Sequence, residues 1–325
     1  MNSVSLLEVH GLSKHYPVRP TGWFKSAQVL KAVDNISFHL EEGETLGLVG
    51  ESGSGKSTTG RLILRLIEPT AGQVLYRGQS LFDLSQRDFK PYRKNLQMIF
   101  QDPAGSLNPA YTVYDLIAEP LRVYDLASTE RQRRERVAEL MMQVGLDPQM
   151  SARSAHEFSG GQKQRIGIAR ALAVQAKLII ADEPVSALDV SIQSQILNLM
   201  QELKQRLGLA YLFMAHDLAV VKYMSQRVAV MYLGRVVELT TSHRLYQHPA
   251  HPYTKMLLAA IPHASAHRRT AHDVTQAQGE IPSPIDRPKG CAFHTRCPYA
   301  IQRCREEDPA LKEIAVKHVA ACHLL

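Results

Sequence analysis

The chain lacks any run of eighteen or so uninterrupted apolar residues, the length a helical membrane span needs, and its start, MNSVSLLEVHGLSKHYPV, lacks the apolar core of a secretory signal. These absences lead us to expect a protein that stays in the cytoplasm and does not span a bilayer. Cysteine is missing until Cys291, after which Cys297, Cys304 and Cys322 follow, a distribution that assigns all four to one tail module. Strong charge of either sign is missing too: 38 Lys+Arg stand against 31 Asp+Glu, a formal net charge of +7 over 325 residues. So small an excess reads as solvated surface and does not call for nucleic acid as a partner. What is present, 45% hydrophobic and 21% charged residues, is ordinary globular composition in a chain long enough for one large core and a smaller satellite.

The first 40 residues alternate apolar and polar positions, as in Ile36-Ser37-Phe38-His39-Leu40, the period of half-exposed strands in an antiparallel sheet. After Glu41 the pattern changes. Leu46, Leu48 and Val49 end a short apolar run at Gly50, a glycine-rich loop follows, and the spacing predicts a helix from Lys56 to Ile67. A second helix is expected over 128–145, with Thr129 and Gln132 as a capping box and Gly145 as its stop. The Arg131, Arg133, Arg134 and Arg136 run on that helix reads as a solvated face. From residue 159 the order is helix, buried strand (178–181), helix (about 191–206), buried strand (211–215), then a strand pair around 227–239. Strands alternating with helices predict an α/β fold with a covered, mostly parallel sheet. Residues 262–280 are polar and aperiodic and are expected to form a linker.

The chemistry starts at Gly50-Glu51-Ser52-Gly53-Ser54-Gly55-Lys56-Ser57, which matches G-x-x-x-x-G-K-[ST] between an apolar strand and a helix. Glycines let backbone N–H groups turn inward around a β-phosphate, Lys56 supplies a point charge to the β- and γ-phosphates, and the Ser57 hydroxyl can ligate Mg²⁺, with Thr58 next along the loop. In Leu178-Ile179-Ile180-Ala181-Asp182-Glu183-Pro184 an apolar strand ends in two carboxylates. Side chains alternate along a strand, so the two take different jobs: Asp182 orients the Mg²⁺ shell and Glu183 accepts a proton from the water attacking the γ-phosphate. His216 leaves the next strand at the same edge and can contact the γ-phosphate, while Gln101, after Met98-Ile99-Phe100, can reach Mg²⁺ and the attacking water. Ser159-Gly160-Gly161-Gln162 opens another helix and forms a second anion-binding device. One nucleotide needs one phosphate loop, so the second device is expected to serve a nucleotide held by another subunit. A capping box between Ser159 and Gln162 is compatible with that role.

These motifs together resemble an ATP-binding-cassette ATPase over nearly the whole chain, with GESGSGKST as phosphate loop, Gln101 as Q-loop, FSGGQKQR as signature, LIIADEP with the catalytic base, SALD (186–189) as D-loop and His216 as switch histidine. The resemblance implies that Tyr16 stacks on adenine, a role its ring suits. It also implies a fold of mostly parallel core sheet, antiparallel β subdomain and helical subdomain (about 102–172), the cassette occupying 1–261. Within that family the chain is similar to the F-type ATP-binding subunit of dipeptide and oligopeptide permeases, on KHYPV, FQDP, SLNP, ADEPVSALD, MYLG and HPYT. That likeness implies a peripheral motor at the cytoplasmic face of the plasma membrane, paired with a D-type cassette or a second copy, under two permease subunits fed by a periplasmic peptide-binding protein. It places the permease-docking surface at 101–109 and 111–121. The cargo, whether peptide or another small solute such as nickel or glutathione, meets the binding protein and the permeases and is not written in this chain. A non-transport ATPase of the same fold is the rival, but no sustained heptads for an inserted coiled coil lie between Lys56 and Ser159.

Residues 281–325 resemble the C-terminal extension of that subfamily. The spacings C-x5-C, C-x6-C and C-x17-C differ from the C-x2-C pairs usual for zinc, and structural disulfides are not expected in a reducing compartment. The resemblance implies a four-iron four-sulfur cluster on the four thiolates; zinc, with His294 or His323 as helpers, and unliganded thiols remain the alternatives. We expect this module to brace the tail and to stand apart from ATP hydrolysis.

Overall fold

The computed structural model describes residues 5–18, 28–261 and 280–325, so most of the expected 262–280 linker lies outside the described residues. The chain runs through β1 (Leu7–Val18), β2 (Gln28–Leu40), β3 (Thr45–Val49), α1 (Lys56–Ile63), β4 (Ala71–Tyr76), β5 (Gln79–Ser80), α2 (Gln86–Asn95) and β6 (Leu96–Ile99). Then come α3 (Val113–Val123), α4 (Glu130–Gln143), α5 (Gly160–Leu172), β7 (Leu178–Asp182), α6 (Val190–Leu207) and β8 (Ala210–Ala215). The last elements are α7 (Leu218–Met224), β9 (Arg227–Tyr232), β10 (Arg235–Thr241), α8 (Ser242–Gln247), α9 (Pro252–Ala259), α10 (Gln302–Glu306), β11 (Lys312–Ala315) and β12 (His318–Ala320). They divide into two compact units, one from Met1–Leu40, Thr45–Phe82 and Ala215–Leu325, the other from Glu41–Glu44 and Asp83–Met214.

In the first unit β2, β1, β4 and β5 form an antiparallel sheet, as the period-two pattern predicts. β3 is buried along its whole length and pairs in parallel with β9, and β9 continues antiparallel through β10 and β12 to β11. In the second unit β6, β7 and β8 pair in parallel. Parallel pairing therefore holds where apolar runs alternate with helices, and the direction changes where the chain turns back at Leu233-Gly234. α4 begins with the expected capping box between Thr129 and Gln132 and stops at Gly145, whose φ is 70°. α1 ends earlier than its apolar spacing suggests. Arg65 takes a left-handed φ of 50°, its N–H donates to the Leu62 carbonyl and that of Leu66 to the Arg61 carbonyl, which is a Schellman stop built on arginine where glycine is usual.

The tail is joined to the sheet of the first unit. β12 extends the edge of β10, with Glu238 opposite Ala320 and Leu239 opposite Val319. Side chains complete the attachment. Asp34 accepts from Arg235 Nε and Nη2 (3.0 and 2.9 Å) and from Arg287 Nη1 of the tail (2.9 Å), and Arg235 also pairs with Asp308. Burial alone would raise the Asp34 carboxyl, but the hydrogen bonds from Arg235 and the charges of Arg235, Lys31 and Arg287 outweigh it and hold the group below the usual carboxylate range. Glu238, fully buried, accepts from the N–H groups of Ala250 and His251 (both 2.9 Å) and lies 2.8 Å from His318 Nε2, while Arg244 donates to His318 Nδ1. Some 45 residues whose larger apolar side chains, Phe293 apart, are mostly exposed thus hold their shape by borrowing the larger core.

His251 caps α9 by accepting from the Tyr253 N–H at 3.0 Å, and burial pushes its imidazole down from 6.5 to about 4. The unfolded chain takes up this proton near pH 6.5 and the native chain refuses it until about pH 4, so the contribution is complete above pH 6.5 and is lost as pH falls towards 4, by at most about 3 kcal/mol. Denaturant midpoints measured between pH 7 and 4 are expected to show this loss in the native chain and a flatter limb in His251→Asn, which keeps a capping acceptor without the titration. Equal slopes would assign the acid limb to other groups.

Candidate functional site: a phosphate loop and an acidic strand end

In the first unit, β3 delivers the loop from Gly50 to Ser57 to the start of α1. Two backbone approaches fix the loop. A Cβ on Gly50 would lie 2.2 Å from the Met231 carbonyl oxygen, and one on Gly55, whose φ is 105°, would lie 2.3 Å from that of Ala32. Only glycine meets both demands. Lys56 is buried, its Nζ donating to the carbonyls of Gly50 (2.7 Å) and Glu51 (3.1 Å), so the ammonium lies inside the curl of the loop. Ser52 and Gly53 are exposed, Ser54 is buried, and Ser57 and Thr58 are partly exposed at the N-terminal turn of α1. Tyr16, near the end of β1, is partly exposed and carries Lys14 Nζ 4.9 Å from its ring centroid. His216 directly follows β8 and is exposed.

In the second unit, β7 ends at buried Asp182, and the next residue leaves the strand with a left-handed φ of 45°. The N–H of Glu183 donates to the Met214 carbonyl at 2.9 Å, and its carboxylate Oε2 accepts from Gln101 Nε2 at 3.0 Å. The structure thus brings together the two residues that the sequence places far apart. A non-glycine residue in this region is strained by about 1 to 3 kcal/mol, a cost typical of side chains aimed for a task. Ser186 donates from both its N–H and its hydroxyl to the Glu183 carbonyl, and Gln193 Nε2 donates to the carbonyls of Val185 and Leu188, fixing the turn that holds 186–189. Gln193, on α6, gives no motif signal and was invisible in the sequence. At the start of α5 the capping box of Ser159 and Gln162 is present, Ser159 and Gly160 are exposed, and a Cβ on Gly161 would lie 2.5 Å from Ile192 Cγ2. The loop after Gln101 is held by Arg170, which donates to the Ser106 carbonyl (3.3 Å) and to Glu119 (3.0 Å).

Two family models match, one described as ABC transporter over residues 33–186 and one as the C-terminal region of oligopeptide/dipeptide transporters over 237–304. The oligopeptide transport ATP-binding protein AppF of Bacillus subtilis is 51% identical over 324 residues, covering 99% of this chain and 98% of its own. The chain belongs to the ABC transporter family. A probable peptide ABC transporter ATP-binding protein of Sinorhizobium fredii, y4tS, is 50% identical, over 99% of this chain and 90% of its own. Among solved structures, the cassette MJ0796, in a dimeric post-hydrolysis state with ADP and Pi, aligns with a TM-score of 0.64 at 28% identity, covering 73% of this chain and 98% of its own. The structure of cbiO1 from Clostridium perfringens, part of the ABC transporter complex cbiONQ, gives the same TM-score at 26% identity, covering 75% of this chain and 91% of its own. Like other ABC cassettes this one is an ATPase subunit, and among its described residues no helix is long and apolar enough to cross a membrane.

In the ABC subunit's tail, burial pushes the Cys291 thiol up to about 11, and the sulfurs of Cys304, Cys322 and Cys297 each add to the push. Burial raises Cys297 and Cys322 as well, again with other sulfurs of the set contributing. All four thiols are free, and each lies within electrostatic reach of the others. Four thiols fit a thiolate-held centre in number and kind, and a cation would reverse the push towards the neutral form. Among the described residues, however, no three His, Cys, Asp or Glu side chains converge as a ready-made ion site.

Replacing Gly55 with alanine sets a methyl group against a carbonyl in a left-handed conformation, a cost of about 2 kcal/mol or more. Binding of a fluorescent ATP analogue by the full-length chain is expected to weaken by more than tenfold while far-UV circular dichroism is unchanged. Unaltered affinity would show that the loop tolerates the shift.

Proposed function

We propose that the chain is the ATP-hydrolysing motor subunit of a peptide importer, a reading carried by the joint presence of the phosphate loop and the peptide-transport type of C-terminal region. Gly50 to Thr58 bind the phosphates, with Ser52, Gly53, Ser54 and Gly55 lending backbone amides, Lys56 its charge, and Glu51, whose own N–H is held by the Tyr253 hydroxyl, shaping the loop; Tyr16 receives the adenine ring. Ser57 and Gln101 hold Mg²⁺ with Asp182 behind them, a set of oxygen donors that suits this hard cation. Glu183 takes the proton of the attacking water, Gln101 helps to hold that water, and His216 contacts the γ-phosphate. Ser159 to Gln162 close on a nucleotide held by the partner cassette, either a D-type relative or a second copy. Closure then couples ATP binding to the switching of two permease subunits at the cytoplasmic face of the membrane, with the 101–109 loop and 111–121 as the docking surface and a periplasmic peptide-binding protein as the source of cargo. The names AppF and y4tS, given to relatives alike over nearly their whole length, support peptides as that cargo.

Replacing Glu183 with Gln removes the proton acceptor and keeps the shape. ATP binding is expected to persist, a closed cassette dimer to accumulate on ATP addition, and steady-state hydrolysis in the assembled transporter to fall by about 10² to 10⁴. Near-normal turnover in that variant would remove Glu183 from the role of base.

We also propose that Cys291, Cys297, Cys304 and Cys322 hold an iron-sulfur cluster, which would supply a structural cross-link between the segment around α10 and the last residues of the chain. Protein purified without oxygen is expected to be brown, with about four iron atoms per chain. Cys304→Ser is expected to bleach it while ATP binding survives. Anaerobic protein free of iron and holding zinc, or no metal, would overturn the cluster.

A further inference from the structure

Arg296 lies one residue before Cys297, in a segment that the sequence sets far from the phosphate loop. Its guanidinium nevertheless meets the carboxylate of Glu51, the second residue of that loop, in a two-pronged pair: Nη1 donates to Oε2 at 2.8 Å and Nη2 to Oε1 at 3.1 Å. The Arg296 side chain is 8% exposed and that of Glu51 25%, so the pair is shielded from solvent and salt on the tail side. The guanidinium lies 5.9 Å from the Tyr232 ring centroid and 5.8 Å from that of Phe293, and its Nη2 also reaches the Met256 sulfur at 3.7 Å. Phe293 in turn stacks edge-on against Tyr232 at 5.3 Å and beside Tyr253 at 5.4 Å. The arginine is therefore held by a packed aromatic cluster. A rigid mount of this kind is what a forked donor needs in order to fix the position of the group it binds.

Glu51 is gripped at two further points. Its N–H donates to the Tyr253 hydroxyl at 2.9 Å, and its carbonyl accepts from Lys56 Nζ at 3.1 Å. A displacement of Glu51 therefore carries with it the lysine meant for the phosphates and the first amide of the curl. Two of the three grips, Tyr253 and Arg296, come from beyond β10. We propose that Arg296 is a positioning residue for the ATPase reaction, acting through Glu51 to hold the phosphate loop in its binding shape, so that the cysteine-bearing tail sets nucleotide affinity. The inference rests on the ATPase reading above. It gives the tail a part in nucleotide binding and leaves the hydrolytic step to the cassette.

The test uses the full-length chain and its assembled transporter, with a fluorescent ATP analogue for affinity and steady-state kinetics for KM and kcat. Arg296→Met keeps the buried stem and removes the fork; Kd and KM for ATP are expected to rise about tenfold, within the usual range of coupling between sites, with kcat changed by less than about twofold. Arg296→Lys, which keeps the charge but grips one oxygen only, is expected to fall between the two, and it decides the matter if the methionine variant fails to fold. Because the pair acts as one unit, Arg296→Met combined with Glu51→Gln is expected to be no worse than the more affected single variant. Unchanged Kd in both arginine variants, or additive losses in the double variant, would overturn the proposal. Failure of the native chain to bind or hydrolyse ATP would instead overturn the ATPase reading, which keeps the two outcomes apart.

Discussion

The first unit depends on how closely its glycine-rich loop is wedged between two pieces of backbone. On one side stands β2, whose Ala32 carbonyl leaves no room beside Gly55; on the other stands the end of β9, whose Met231 carbonyl leaves none beside Gly50. The turn between β9 and β10 closes the wedge, Gly234 donating its N–H to the Ser54 carbonyl at 2.9 Å and accepting from the Asp34 N–H at 2.8 Å. Three segments far apart in the chain therefore agree on a single loop shape before a phosphate enters. Donors fixed in this way lose little freedom on binding, and their N–H dipoles need no reorganisation around the anion. Asp34, at the same junction, gathers Arg235 and Arg287, so the wedge and the attachment of the tail share one strand.

Local signals were legible in the sequence and distant ones were not. The strand-loop-helix around Lys56 is contiguous, so its glycines, lysine and serine announce themselves in a single line of text; the caps of α4 and the apolar run ending at Asp182 and Glu183 do the same. The stop of α1 was missed because an arginine occupies the left-handed position where a glycine would have been read. The pairing of Gln101 with Glu183 depends on the return of β7 beside β6, which no short window contains. The cysteines mark the tail as one module but do not show how it is attached. Its actual supports are single polar residues, Arg287, Arg296, Asp308 and His318, which look like surface in a linear reading.

In the second unit the backbone does for a carboxylate what glycines do for the phosphate loop in the first. The left-handed φ at Glu183 swings the chain out of the line of β7, while its N–H stays tied to Met214. A regular strand would have carried the side chain of the residue after Asp182 to the opposite face of the sheet; the bend sets its direction independently of that alternation. Ser186, bonded to the Glu183 carbonyl, and Gln193 keep the bend from relaxing.

The two short strands at the end of the chain have one more effect. Without them β10 would offer an open row of N–H and C=O groups, with Val236, Val237 and Leu239 beside it, a ready template for the strand of another molecule. β12 covers that row, Ala321 adding its own N–H to the Val237 carbonyl at 2.8 Å, and the outermost position passes to β11, whose Lys312 and Glu313 are exposed and charged. The edge that finally faces solvent is four residues long and carries charges that oppose stacking against a neighbour. The tail thus also guards the protein against edge-to-edge aggregation.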